Sequence, residues 1–202
     1  MKMLVFVFCK PCKNKYECDI IIVKLKAGKI MEIKELIGKN EIDKRLEELA
    51  EQLDNNYSGK EIVAICVLNG AVYFAAELTL KMKTKMQLEF VKISSYEGTN
   101  SSGNVKKHLD IDKSKVEGKN ILIIEDIVDT GRSMNYLIES IKGKNPKDLK
   151  VCVLLNKPSR REVEVNIDYV GFEVSNKFIV GYGFDDVDGT GRNIPYIGYK
   201  EM

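Results

Sequence analysis

Asn120-Ile121-Leu122-Ile123-Ile124-Glu125-Asp126-Ile127-Val128-Asp129-Thr130-Gly131-Arg132-Ser133-Met134 decides the fold. Between Asn120 and Glu125 the residues Ile121 to Ile124 are apolar without alternation, which predicts that Asn120 to Glu125 is a strand buried on both faces. The run ends in carboxylates and a Thr-Gly turn, and a helix is expected from about Arg132 to Ile141. The same unit recurs upstream, where Ile62 to Leu68 is a continuous apolar run, Asn69-Gly70 a turn and Ala71 to about Lys81 a helical stretch. Leu88 to Ile93, Val151 to Leu155, Tyr169 to Phe172 and Phe178 to Val180 read as further strands. Ahead of them a helix is expected from Asn40, which would cap it, because Ile42, Leu46, Leu49 and Leu53 recur at helical spacing before Tyr57-Ser58-Gly59. Buried strands alternating with helices predict an α/β fold with a parallel, doubly wound sheet. Ligands bind such sheets at the carboxyl ends of the strands, which directs attention to the turns after Leu68, Glu125 and Leu155.

The composition narrows the function. In 202 residues, 32 Lys and Arg face 30 Asp and Glu, a net charge of +2 that gives no footprint for nonspecific duplex binding. No apolar run approaches the roughly 18 to 20 residues needed to span a bilayer. Neither a membrane nor a nucleic-acid partner is expected. His108 is the sole histidine, so multi-histidine metal sites are excluded, and it falls in a polar stretch where a solvated role is expected of it. The five cysteines, Cys9, Cys12, Cys18, Cys66 and Cys152, are odd in number, and two lie in strand-like runs, which fits a reducing cytoplasmic setting. Cys9 and Cys12 could be half a zinc knuckle, a redox pair or incidental. The opening MKMLVFVFC has a short apolar run followed by lysines, unlike a secretory signal. The pattern changes at Met31, so residues 1–30 are expected to be an extension, disordered or read from an upstream start codon, and 31–202 the functional domain.

Glu125 and Asp126 at the end of a buried strand would repel each other unless a metal ion or hydroxyl donors engage them, and Asp129 follows. Thr130, Gly131, Arg132 and Ser133 then offer backbone N–H groups and hydroxyls at a helix start, which suits a phosphate. Carboxylates for vicinal hydroxyls or Mg²⁺ beside an anion cradle describe a receptor for a sugar phosphate. Neither a Walker A loop nor a GxGxxG turn is present. From Ser95 to Lys119 runs a long polar stretch, of the kind that forms lids or disordered segments.

IIEDIVDTGRSM resembles the phosphoribosyl diphosphate signature of the type I phosphoribosyltransferases, and the wider chain is similar to the hypoxanthine(-guanine) phosphoribosyltransferases. The likeness runs from about Met31 to Lys200 through VLNGAVYFAAEL, SSY, LLNKPSRREV, DYVGFEV, FIVGYGFD and GRNIPYIG. It implies a parallel-sheet core with helices on both faces, a small hood from the terminal segments, and homodimers or homotetramers. The reaction implied is Mg²⁺-dependent transfer of phosphoribosyl from 5-phosphoribosyl 1-diphosphate to N9 of hypoxanthine or guanine. Residue by residue, Glu125 and Asp126 would meet the ribose hydroxyls directly or through Mg²⁺, and Asp129 would be the general base. Thr130, Gly131, Arg132 and Ser133 would hold the 5′-phosphate, Arg132 through its backbone, since many members have Lys or another residue there. Leu68, Asn69 and Gly70 match the diphosphate loop, in which a non-proline cis peptide is usual; some members carry Lys where Asn69 stands. Arg192 would also bind diphosphate, and Asp185 would be the carboxylate of a second metal site beside that of Glu125 and Asp126. Lys157 would donate to the exocyclic oxygen of a 6-oxopurine, Phe178 would stack on the base, and Ile179 and Asp185 would border it. Ser95 and Tyr96 would open a flexible lid. Two other functions stay open: a regulatory protein that senses phosphoribosyl diphosphate, and a sister transferase favouring xanthine.

Overall fold

The computed structural model describes residues 32–95 and 105–201. Six strands form the main sheet: β2 (Ile62–Leu68), β3 (Met86–Ser95), β4 (Val105–Leu109), β5 (Asn120–Val128), β6 (Asp148–Asn156) and β7 (Tyr169–Glu173), in the order β4-β3-β2-β5-β6-β7. All neighbours run parallel except β3 and β4, so the sheet is parallel with one antiparallel edge strand. Three helices cover it: α1 (Lys39–Asn56), α2 (Val72–Lys81) and α3 (Arg132–Lys142). Alternation along β2 sorts the core into two layers. Ile62, Ala64 and Cys66 pack with Leu46 and Leu53 of α1 and Phe74 and Leu78 of α2. Val63, Ile65 and Val67 pack on the other face with Met134, Leu137 and Ile141 of α3. Helices therefore flank the sheet on both faces, and β2 along its length, β5 from Ile121 to Ile124 and β6 from Val151 to Leu155 are apolar because neither face meets water there.

A second, antiparallel sheet has the order β1-β9-β8, made from β1 (Lys34–Ile37), β8 (Phe178–Val180) and β9 (Ile197–Lys200). It is the hood built from the two terminal segments. Three local expectations are corrected. The N-cap of α1 is Gly38, not Asn40; the helix starts at Lys39, and Glu41 and Ile42 both donate their N–H to the Gly38 carbonyl. The polar stretch after Ser95 is not all loop, because β4 and a 3₁₀ turn (Lys113–Lys115) lie within it. His108 accordingly sits in an edge strand, exposed, rather than in a loop. Tyr96, Cys9, Cys12 and Cys18 lie outside the described residues, as do residues 1–30 as a whole. Cys66 and Cys152 are free and wholly buried, and burial pushes the Cys66 thiol up to about 12.

Candidate active site

The parallel register places the ends of β2 and β5 side by side, with Cys66 opposite Ile124, so the residues that follow each strand share one edge. A cleft of about 510 Å³ opens there. Leu68, Asn69 and Gly70 line it from β2, Glu125, Asp126 and Asp129 from β5, and Thr130, Gly131 and Ser133 from the turn into α3. Asp185 and Arg192 reach it from the segment between β8 and β9. The Leu68–Asn69 peptide is cis.

Two glycines are fixed by space. A Cβ at Gly70 would lie 1.5 Å from Asp126 Oδ2, so the bare backbone is what lets the carboxylate and the loop coexist. Gly131 has φ +87° and ends the turn as the N-cap of α3, where a Cβ would lie 2.2 Å from the Val163 carbonyl oxygen. That approach belongs to a brace: Glu162 and Val163 donate their N–H groups to the Thr130 carbonyl at 2.9 and 3.0 Å, and Lys157 N–H donates to the Val128 carbonyl at 3.0 Å. The first-turn N–H groups of α3 have no carbonyl partner within their own helix, the ordinary condition of a helix N-terminus and a favourable one for an anion. Arg132 points elsewhere: its side chain is exposed and pairs with Glu162 at 2.6 Å.

Glu125 and Asp126 are partly exposed but densely surrounded. Burial, and then the neighbouring Asp126 charge, pushes the Glu125 carboxyl well above the usual range; burial also raises Asp126, against bonding from the Ile127 N–H at 2.7 Å and the positive charge of Arg192. Two carboxyls so placed share negative charge poorly and favour a cation or hydroxyl donors beside them. Among the described residues no three acidic, histidine or cysteine side chains converge on one point. Glu125, Asp126 and Asp185 share the cleft, and Asp185, from the segment between β8 and β9, is held by Arg192 at 2.6 Å. Mg²⁺ is commonly held by one or two carboxylates together with substrate phosphates, and the donors present suit that arrangement.

Asp129 meets two cations. Its Oδ2 is 4.0 Å from Lys157 Nζ, and its Oδ1 is 3.1 Å from Arg160 Nε at an angle that makes no hydrogen bond, leaving that buried oxygen unsatisfied. Lys157 is 6% exposed, donates to the Lys177 carbonyl at 2.9 Å, and is pushed below the ordinary lysine range by burial, with Asp129 opposing. Lys157, Phe178 and Ile179 do not line the cleft: Phe178 is half-buried at the start of β8 and Ile179 packs in the core. The backbone of Ser95 ends β3. Arg160 was absent from the sequence expectation, although it lines the cleft. Its signal was the cationic run Lys157-Pro158-Ser159-Arg160-Arg161 directly after a buried strand, where ligands gather in parallel sheets.

Comparison with known proteins agrees with this fold. The family described as "Phosphoribosyl transferase domain" matches residues 34–186. A hypoxanthine-guanine phosphoribosyltransferase of Bacillus subtilis is 45% identical over 166 residues, covering 82% of this chain and 91% of that protein. A bifunctional protein TilS/HprT of Listeria monocytogenes is 43% identical over 166 residues, and the chain spans 25% of its length. The crystal structure of a hypoxanthine-guanine phosphoribosyltransferase from Bacillus anthracis, with HEPES in its active site, superposes with a TM-score of 0.78 at 40% identity, covering 83% of this chain and 99% of that one. The chain belongs to the phosphoribosyltransferase family, type I, and groups there with the hypoxanthine-guanine phosphoribosyltransferases.

Proposed function

We propose that the chain is a purine salvage enzyme that transfers the phosphoribosyl group of 5-phosphoribosyl 1-diphosphate to N9 of hypoxanthine or guanine, releasing diphosphate. The observation that carries this is the convergence on one cleft of a bare-backbone loop at Asn69-Gly70, the Glu125–Asp126 pair and the Thr130–Ser133 turn. These are an anion site, a diol or cation site and a second anion site, spaced along the edge formed by two adjacent strands. A phosphorylated sugar with a second phosphate group at its other end has the same three features in the same order.

In this reading the turn from Thr130 to Ser133 holds the 5′-phosphate, Glu125 and Asp126 take the ribose hydroxyls, and Asn69, Gly70 and Arg192 take the leaving diphosphate. Mg²⁺ held by carboxylates of the cleft and by substrate phosphates would supply positive charge to the departing group. The sugar passes through an oxocarbenium-like transition state, which the negative charge at the cleft floor favours. Asp129 accepts the purine proton, with Lys157 and Arg160 holding its carboxylate from two sides. Lys157, desolvated and a donor, meets a 6-oxo oxygen well and a 6-amino group badly, which selects against adenine. Asp185 borders the base from the cleft lining and Phe178 and Ile179 from beside it, outside that lining, and Ser95 and Tyr96 open a lid that excludes water. A homodimer or homotetramer in a cytoplasmic setting completes the proposal; a mass in solution above 22.9 kDa by light scattering supports the assembly, and the monomer mass removes it.

Asp129→Asn tests the chemistry apart from the binding. The variant is expected to bind 5-phosphoribosyl 1-diphosphate with unchanged affinity by calorimetry and to lose about two to four orders of magnitude in turnover. Full turnover would remove the proton-accepting role from Asp129.

A further inference from the structure

Behind the cleft, the turn Gly181-Tyr182-Gly183-Phe184 breaks a local rule. Gly181 and Phe184 exchange both backbone hydrogen bonds, at 2.9 and 3.0 Å, so Tyr182 and Gly183 are the two central residues of a tight turn. Both have positive φ, +49° and +104°. Turns of that hand favour Asn, Asp or Gly at each central position, and a bulky side chain in the left-handed region is disfavoured by the clash of its Cβ with the backbone. A tyrosine there needs a tertiary reason.

The reason lies in its side chain. Tyr182 is 3% exposed, and its hydroxyl donates to Glu77 Oε2 of α2 at 2.8 Å. The same oxygen accepts from Lys39 Nζ of α1 at 2.8 Å, and that ammonium stands 5.8 Å from the centre of the Tyr182 ring. The first turn of α1 and the middle of α2 thus hold the phenol, and the turn around it is tied to the segment that follows. Tyr182 N–H donates to the Ile194 carbonyl at 2.8 Å, and Gly183 N–H donates to the Arg192 carbonyl at 3.0 Å. The Gly183 carbonyl accepts from Arg192 Nη1 at 2.5 Å. Gly183 also lies against the cleft loop, since a Cβ on it would come within 2.1 Å of the Gly70 carbonyl oxygen. One turn therefore touches both groups assigned to the diphosphate.

We propose that Tyr182, held by Glu77, is a positioning residue that presets Arg192 and the Gly70 loop for diphosphate. This rests on the function proposed above and extends it to residues outside the cleft. The phenol touches no substrate; it fixes the turn whose carbonyl orients the guanidinium and whose bare glycine supports the loop. Removing the hydroxyl leaves the ring packed but frees the turn to relax from its left-handed conformation.

Calorimetric titration with diphosphate in the presence of Mg²⁺, beside steady-state kinetics and thermal melting, tests this. Tyr182→Phe is expected to weaken diphosphate binding about tenfold and to raise KM for 5-phosphoribosyl 1-diphosphate to match, with KM for hypoxanthine within about twofold of the parent. Glu77→Gln keeps an acceptor for the hydroxyl and should bind diphosphate within about twofold of the parent, whereas Glu77→Ala should match Tyr182→Phe. The double variant Tyr182→Phe/Glu77→Ala should be no weaker than either single one. Undiminished diphosphate binding in Tyr182→Phe overturns the proposal. So does an equal rise in both KM values that follows the loss of melting temperature, the mark of a merely structural bond. Failure of the unsubstituted protein to bind diphosphate or turn over any base would overturn the proposed function and this positioning role together.

Discussion

Gly70 shows how far a single position can be specified by its surroundings. An added methyl group would stand 1.5 Å from Asp126 Oδ2, so Gly70→Ala must move either the carboxylate or the loop. The expected result is a rise of at least about tenfold in KM for 5-phosphoribosyl 1-diphosphate, with a fall in melting temperature small enough to leave the protein folded; kinetics at saturating hypoxanthine with parallel melting curves check it. An unchanged KM would show that the loop does not carry the diphosphate. Asp129 illustrates the opposite case, in which identity was legible and environment was not. Its place after a buried strand marked it in the sequence, but its partners Lys157 and Arg160 come from the segment after β6 and meet it through tertiary folding. Tyr182 and Glu77 are further apart still, 105 residues, and no local pattern joins them.

Among the elements, the connection from α2 to β3 depends on one carboxylate. Asp54 of α1 accepts from the N–H groups of Lys83 and Thr84 and from the Thr84 hydroxyl, at 2.6 to 3.0 Å. Burial opposes its ionisation, but these bonds outweigh burial and hold its pKa below the ordinary 3.8. A depressed folded-state pKa means that the ionised carboxylate contributes stability above the unfolded value and that this is lost as pH falls through the folded one. Asp54→Asn should therefore lose on the order of 1 kcal/mol at neutral pH and show a shallower decline below pH 4 in denaturant titrations; identical acid curves for the two proteins would contradict the tether. The elements most legible in sequence were β2, β5 and β6, because a central strand buried on both faces leaves an uninterrupted apolar run. The strands β1, β4 and β9 were not legible: β1 and β4 are short, polar-rich edge strands, β9 is only four residues long, and all three owe their existence to strand partners that no local pattern announces. The start of α1 was misplaced by two residues because the backbone carbonyl of Gly38, not a side chain, begins its ladder.

Across the whole molecule, the division of labour follows the two sheets. The parallel sheet brings the strand ends of β2 and β5 together, with Gly70, Glu125, Asp126 and the Thr130–Ser133 turn on one edge, while the segment between β8 and β9 lends Asp185 and Arg192 to the same cleft. No helix among the described residues is long and apolar enough to cross a membrane. In the function proposed above, this cleft moves a phosphoribosyl group onto a 6-oxopurine. The most direct test gives the purified chain Mg²⁺ and 5-phosphoribosyl 1-diphosphate with hypoxanthine, guanine, xanthine or adenine in parallel, and follows nucleotide and diphosphate together. Equimolar nucleotide and diphosphate with hypoxanthine and guanine, and none with adenine, is the predicted result. Xanthine as the preferred base would move the chain to the sister transferases, and turnover with adenine would remove the role given to Lys157. Binding of 5-phosphoribosyl 1-diphosphate with no turnover of any base would contradict the claim outright and leave a sensor of that compound in its place.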